Sequence, residues 1–290
     1  MLLKSARRFY HTNLSKKLYD PTPVLGSGFV RLIDHMPYKI DAPLFCDAAI
    51  TQMARISYSD GTKKTSSDEG LIRYLMRNHH TSPFEAVEFK FHLKIPIFVE
   101  RQLIRHRTAS VNQVSGRYSI LPEDYYIPTH VRKQSSGNKQ GSQGVLDEKD
   151  PVARSVAYMF REKCRNINRH NYYNSLVNEH NVAREMARMV LSQNLFTELY
   201  WKIDLHNLLH FLHLRQSEHA QQEIRDVADA IYNVVKELCP VSTQAFLDYR
   251  VNAMVLSAEE VKAIQTGDFK DISTKREREA LTLKMRKLGC

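Results

Sequence analysis

An α/β fold is the class this sequence predicts, on three observations. Residues 87–95 alternate strictly: Val87, Phe89, Phe91, Leu93 and Ile95 are separated by Glu88, Lys90, His92 and Lys94. That is the period of a strand with one buried face. Past residue 150 the apolar spacing becomes helical, most clearly at Leu205, Leu208, Leu209 and Leu212. The chain has 290 residues and 42% apolar side chains, ordinary for a globular protein with a sizeable core. No apolar run is long enough to span a bilayer, so no membrane partner is expected.

The elements follow in order. Residues 1–17 hold Lys4, Arg7, Arg8, Lys16 and Lys17 and no acid. That composition suits a mitochondrial (matrix) targeting segment, and Arg8-Phe9-Tyr10-His11 resembles a matrix-peptidase cleavage site. The other reading is the basic tail of a cytoplasmic protein. The spacing predicts a strand over 29–34 and a helix over 42–57, with Ala48, Ala49, Ile50, Met53 and Ala54 near one face. A polar turn spans 61–67. A helix over 68–78 carries Leu71, Ile72, Leu75 and Met76 and ends at His79-His80, ahead of Ser82-Pro83. Pro96 closes the alternating strand and opens a helix over 97–104. Residues 132–150 are polar and of low complexity, which predicts a flexible surface insertion within one domain. One helix is expected over 151–170. A second is expected over 181–191, with Val182, Met186, Met189 and Val190 inward and Arg184 and Arg188 one turn apart. A third begins at Asp204, a good N-cap. A fourth carries Ile224, Val227, Ala228, Ile231, Val234 and Val235 and is stopped by Cys239-Pro240. The domain reading is therefore one folded body over 18–256, behind the segment 1–17, and a charged extension over 257–290.

Charge excludes one function class. The formal net charge is +10, but residues 1–17 hold five bases and no acid, and residues 270–290 hold seven bases and three acids. Only +1 remains for residues 18–269. That balance argues against a broad nucleic-acid-binding face on the body, and nucleic acid is not an expected partner. Cys46, Cys164, Cys239 and Cys290 are scattered without a pairwise motif, unlike a disulfide framework or a zinc site.

The chemistry gathers in residues 105–118, Arg-His-Arg-Thr-Ala-Ser-Val-Asn-Gln-Val-Ser-Gly-Arg-Tyr. Three arginines and a histidine in so short a run repel one another unless an anion lies among them. Arg forks, Ser hydroxyls and Gly-exposed backbone N–H groups are the parts of a phosphate cradle. Taken alone, the run reads either as a solvated basic loop or as such a cradle. His206, His210 and His213 fall at i, i+4 and i+7, opposite the leucine stripe. They suit a polar face, a ligand-facing surface or a metal site. A third ligand at i+7 is awkward on a straight helix, and no His-Glu-x-x-His pattern accompanies them. No metal is expected.

Four pieces in register resemble the flavin-dependent thymidylate synthases: residues 80–85 (His-Thr-Ser-Pro-Phe-Glu), 102–118, 187–191 (Ala-Arg-Met-Val-Leu), and 204–215 followed by His219-Ala220-Gln221. The resemblance covers most of 28–250. It implies an α/β fold with a sheet flanked by helices, in a homotetramer with FAD and dUMP at subunit interfaces. By position, Ser82, Arg105, His106, Arg107, Thr108, Gln113, Asp204, Leu205, His206 and His210 would line the FAD. Gln102, Leu103, Ile104, Arg105, Gln113, Val114, Ser115, Gly116, Arg117, Arg188 and Arg215 would hold dUMP. His80 would stand on the folate or NADPH side. The implied reaction is reductive methylation of dUMP to dTMP, with 5,10-methylenetetrahydrofolate as carbon donor and NADPH as reductant through FAD. Arg215 would activate the uracil ring, with no cysteine nucleophile. Two positions depart from the family pattern: Gln113 stands where an acid is common, and Ser192 replaces a frequent proline.

Overall fold

The computed structural model describes residues 18–37, 45–57, 67–137, 140–270 and 272–289. The expected targeting segment 1–17, the start of the 42–57 helix and most of the 61–67 turn lie outside the described residues. Two compact units divide the chain, Met1–Gln244 and Ala245–Cys290.

The first unit begins with β1 (Thr22–Val24), β2 (Gly28–Met36), α1 (Phe45–Arg55) and α2 (Asp68–Arg77). A 3-10 turn (Ser82–Ala86), β3 (Glu88–Pro96), α3 (Ile97–Leu103) and β4 (Ser110–Gln113) follow. Next come β5 (Arg132–Gln134), β6 (Ser142–Val145), α4 (Pro151–Arg165), α5 (Ile167–Asn178), α6 (Arg184–Ala187) and a 3-10 turn (Arg188–Val190). The unit is completed by β7 (Phe196–Asp204), α7 (Leu205–Arg215) and α8 (Gln222–Leu238), and α9 (Pro240–Phe246) runs across its boundary.

Five strands form one antiparallel sheet in the order β1-β2-β3-β7-β4. The expected alternation of β3 is what places it at the centre. Phe89, Phe91, Leu93 and Ile95 are fully buried on one face. The opposite face stays partly wet and is laced by charge. Lys90 lies directly across from Lys202, a pairing that repels. Each is drawn to a carboxylate instead, Lys90 to Asp34 at 3.3 Å and Lys202 to Glu88. Lys94 pairs with Asp124 at 2.6 Å, and His92 meets Glu198 at 2.9 Å. Gly28 is required where β2 begins, since a Cβ there would lie 2.6 Å from the Lys94 carbonyl and 2.9 Å from the Phe196 ring.

Helices cover the apolar face. α8 packs against β1, β2, α3 and α7, and α7 packs against β7 and the Ser82–Ala86 turn. The leucine stripe behaves as expected: Leu205, Leu208, Leu209 and Leu212 are all buried. Buried Asp47 on α1 accepts from the Val241 and Ser242 N–H groups at 2.9 and 3.0 Å, tying α1 to the start of α9.

Four expectations are corrected. The helix expected over 151–170 is broken at Asn166, which adopts a left-handed φ of 54°. Its side-chain amide donates to the Cys164 carbonyl and to Asn194 Oδ1, and these bonds hold the break. The helix expected over 181–191 is only one α-turn and one 3-10 turn, and Met186 and Met189 are exposed rather than inward. β7 fills 196–204, to which the helical reading assigned nothing, although Leu199, Trp201 and Ile203 alternate with Glu198, Tyr200 and Lys202. The polar insertion contains a two-stranded hairpin, and Arg132 at its base bonds both Glu223 oxygens on α8 at 2.7 and 2.8 Å.

The second unit contains α10 (Ala258–Thr266) and α11 (Lys275–Leu288), each opened by a capping box. Ala263, Ile272 and Leu281 form its small core with Leu256 and Met285, and Lys284 meets Glu260 at 2.6 Å.

Phe91→Ala should lower stability by about 3–5 kcal/mol, because it opens a cavity between the central strand and Trp201. Urea unfolding would read this as a lower midpoint; an unchanged midpoint would show that β3 does not anchor the core.

Candidate active site

The site assembles where α3 and α7 end. The C-cap Ile104 donates its N–H to the Glu100 carbonyl and closes α3, so the chain leaves the helix at Arg105. The His106 N–H donates to the Leu103 carbonyl at 3.1 Å and holds the next turn. α7 begins at its N-cap Asp204, whose Oδ1 accepts from the Asn207 N–H at 3.0 Å. Burial of the leucine stripe fixes the rotation of α7 and turns its polar residues outward. Arg215, its last residue, is thereby carried to the turn after α3.

An open cavity of about 250 Å³ lies there, lined by Arg105, His106, Arg107, Thr108, Asn207, His210, Leu214 and Arg215. Six of these eight were expected from sequence. Asn207 and Leu214 were not. Asn207 could have been found from its place on the first turn after Asp204, where its side-chain amide donates to Asp204 Oδ2 at 2.7 Å. The cavity is lined by three arginines and no acid. That donor set selects an anion.

Arg215 is held on two sides. Its Nε donates to His106 Nε2 at 3.1 Å, and its Nη2 donates to the Gln102 carbonyl at 3.3 Å. The Gln102 side chain in turn donates to Gln221 Oε1 at 2.6 Å. Burial pushes His106 down to about 4, and the charges of Arg215 and His210 push in the same direction. The imidazole is therefore neutral near neutral pH. Burial also lowers Arg215 from its ordinary value.

The other expected residues lie elsewhere. Gln113, on the edge strand β4, donates to Thr197 Oγ1 at 2.9 Å. The Val114 N–H donates to the Glu198 carbonyl at 2.9 Å. Ser115 Oγ accepts from the Arg117 N–H at 3.3 Å, and the Arg117 guanidinium meets Glu185 at 3.1 Å. Gly116 packs against Arg188, and a Cβ there would lie 3.3 Å from that side chain. These residues form a second cluster and do not line the cavity. His80 stands edge-on to Tyr74 at 5.7 Å, and Ser82 opens the 3-10 turn beside α7. Leu103 and Leu205 are fully buried, so only their backbones can face a ligand.

Among the described residues, no three His, Cys, Asp or Glu side chains converge as a metal would need, the His206, His210 and His213 stripe included. No described helix is long and apolar enough to cross a membrane. Cys46 and Cys239 are buried near one another, Cys164 is half-buried, and none of the three lines the cavity.

Residues 31–241 match the family model described as thymidylate synthase complementing protein. The chain is 46% identical over 254 residues to a flavin-dependent thymidylate synthase of Dictyostelium discoideum, covering 86% of this chain and 81% of that protein. It is 51% identical over 245 residues to one of Thermus thermophilus, covering 84% of each. Among solved structures it is similar to the UMP/dUMP methylase PolB of Streptomyces cacaoi bound with 5-Br dUMP. That similarity has a TM-score of 0.63 and 32% identity, and covers 77% of this chain and 95% of that one.

The depressed His106 value sets a pH dependence. Unfolded, the ring takes a proton near its ordinary 6.5; folded, it stays neutral down to about 4. The unfolded state thus binds more protons between those values. The contribution of His106 is complete above about pH 6.5 and is lost as pH falls toward 4. Urea midpoints measured from pH 7 to 4.5 should fall further for wild type than for His106→Gln, which cannot titrate. Parallel curves would contradict the depressed value.

Proposed function

The chain belongs to the flavin-dependent thymidylate synthase family, and from that premise we propose that it converts dUMP to dTMP. Methylenetetrahydrofolate donates the carbon, and NADPH supplies the reducing equivalents. The single observation that carries the assignment to this site is the acid-free, three-arginine cavity formed by Arg105, Arg107 and Arg215.

The donors present fit FAD. Arg105, Arg107 and Thr108 offer the cationic and hydroxyl donors a diphosphate takes, beside a polar helix face bearing His206, Asn207 and His210. When bound, FAD supplies the hydride chemistry. Ser82, Gln113, Asp204 and the backbone at Leu205 would complete its contacts, and His80 would stand on the folate or NADPH side.

The chain's own residues hold and activate the nucleotide. Gln102, the backbone at Leu103 and Ile104, Arg105, Gln113, Val114, Ser115, Gly116, Arg117, Arg188 and Arg215 bind dUMP. Arg215 presents its unused guanidinium donors to the pyrimidine. A fixed cation there favours loss of the N3 proton and raises electron density at C5, the carbon that must attack the methylene. Arginine suits the task because it stays charged. Placement of the described cysteines off the cavity supports a route without a thiolate nucleophile.

Two observations support a homotetramer with shared sites. The expected dUMP residues split into a cavity set and a second cluster, as they would if another copy completed each site. Apolar side chains also stand exposed near that cluster, Tyr118 at 81% and Met189 at 67%. Residues 1–17 direct the protein to the mitochondrial matrix on this reading, and their basic, acid-free composition supports it.

Tritium release from 5-tritiated dUMP should require FAD, NADPH and methylenetetrahydrofolate together. Arg215→Ala should lower that release by about 10²–10³-fold at normal flavin content. Full activity in this variant would remove Arg215 from the mechanism. A fluorescent protein fused behind residues 1–17 should reach mitochondria; a diffuse cytoplasmic signal would leave the segment a tail.

A further inference from the structure

Arg215 is the cation on which the proposed chemistry turns, and a guanidinium on a flexible stem has no inherent aim. Something must point it. A guanidinium can only donate hydrogen bonds, so the 3.1 Å contact from Arg215 Nε to His106 Nε2 requires a lone pair on that nitrogen. The ring must therefore carry its proton on Nδ1. We propose that His106 is the positioning residue for Arg215: a neutral, Nδ1-protonated imidazole that accepts the Nε–H and fixes the plane of the guanidinium fork.

The surroundings of His106 suit a fixed pointer. The ring stands edge-on to Phe211 at 5.0 Å, and Phe211 stands edge-on to Trp201 at 5.1 Å. Both Phe211 and Trp201 are fully buried. The plane of the imidazole is thus referred back through α7 to the central sheet. His210 closes a third side at 5.7 Å. The Gln102 carbonyl takes one Nη2 hydrogen of Arg215. With Nε also engaged, the remaining Nη hydrogens are left for a ligand. A lysine at 215 would carry the charge without this fixed direction.

The inference rests on the proposed reading for its consequence, though not for its geometry, so the test has two arms. In the first, the flavin-loaded protein is labelled with 15N-histidine, and His106 is identified by its loss in His106→Gln. Its Nδ1 should appear protonated and its Nε2 unprotonated at neutral pH. A protonated Nε2 would overturn the proposal whether or not the protein makes dTMP. In the second arm, dUMP dissociation constants are measured on flavin-loaded protein. His106→Leu should weaken binding by about tenfold, the worth of one hydrogen bond to a charged group. His106→Gln should stay within about threefold of wild type, because its amide oxygen can accept the same hydrogen bond. In an Arg215→Lys background, His106→Leu should add no further loss. Equal losses in Leu and Gln variants, or additive losses with Arg215→Lys, would overturn positioning and leave a packing role. Absent tritium release from wild type, with the expected tautomer and coupling intact, would sink the reaction and keep the positioning.

Discussion

The pairing of β3 with β7 is the constraint on which the rest depends. The two strands run antiparallel from Glu88 opposite Asp204 to Pro96 opposite Phe196. One face is sealed by Phe89, Phe91, Leu93 and Trp201. The other is held in register by ion pairs that separate Lys90 from Lys202. A slip of one residue would turn every buried side chain outward and place these charges in the core. Because the strands are antiparallel, α3 and α7 leave from opposite ends of the pair. The leucine stripe then binds α7 down, and Arg215 at its last turn reaches the loop after α3. The site is a consequence of that geometry.

Crowding cations at one place has a cost. Two like charges 4 Å apart repel by about 4 kcal/mol at an effective dielectric near 20. Arg105 and Arg107 lower that cost by remaining exposed. The part-buried pair, His106 and Arg215, avoids it because the histidine gives up its charge. Burial depresses the imidazole to about 4, and the neutral ring becomes an acceptor where a charged one would repel. The arrangement stores unmet donor capacity in a cavity without carboxylates, which an anionic ligand satisfies on arrival.

Much of this was legible in the chain. The alternation of 87–95 is local, and it correctly announced the central strand. The leucine stripe and the Asp204 cap are local too, and α7 runs as expected. Residue type narrowed the Arg-His-Arg run to a solvated basic loop or an anion cradle, and the resemblance chose between them. Misreadings arose where tertiary contacts overrule local pattern. Asn166 breaks a helix because Asn194, distant in sequence, offers it a partner. Met186 and Met189 have helical spacing, yet among the described residues both side chains stay exposed. β7 alternates cleanly only from Leu199 to Ile203, because Thr197 stands where an apolar residue would continue the buried face, and pairing with both β3 and β4 makes it an interior strand.

Residue type, order and short-range period thus determined the fold class, the main strand, helix α7 and the family resemblance, because those properties act within a few residues. Which of the candidate residues meet was decided by tertiary structure alone. Arg215 and His106 are 109 residues apart in sequence and 3.1 Å apart in the fold. No local pattern encodes that contact, the neutrality it demands of His106, or the separation of the Ser115–Arg117 cluster from the cavity. Each follows from the packing of helices on a sheet whose register was set elsewhere.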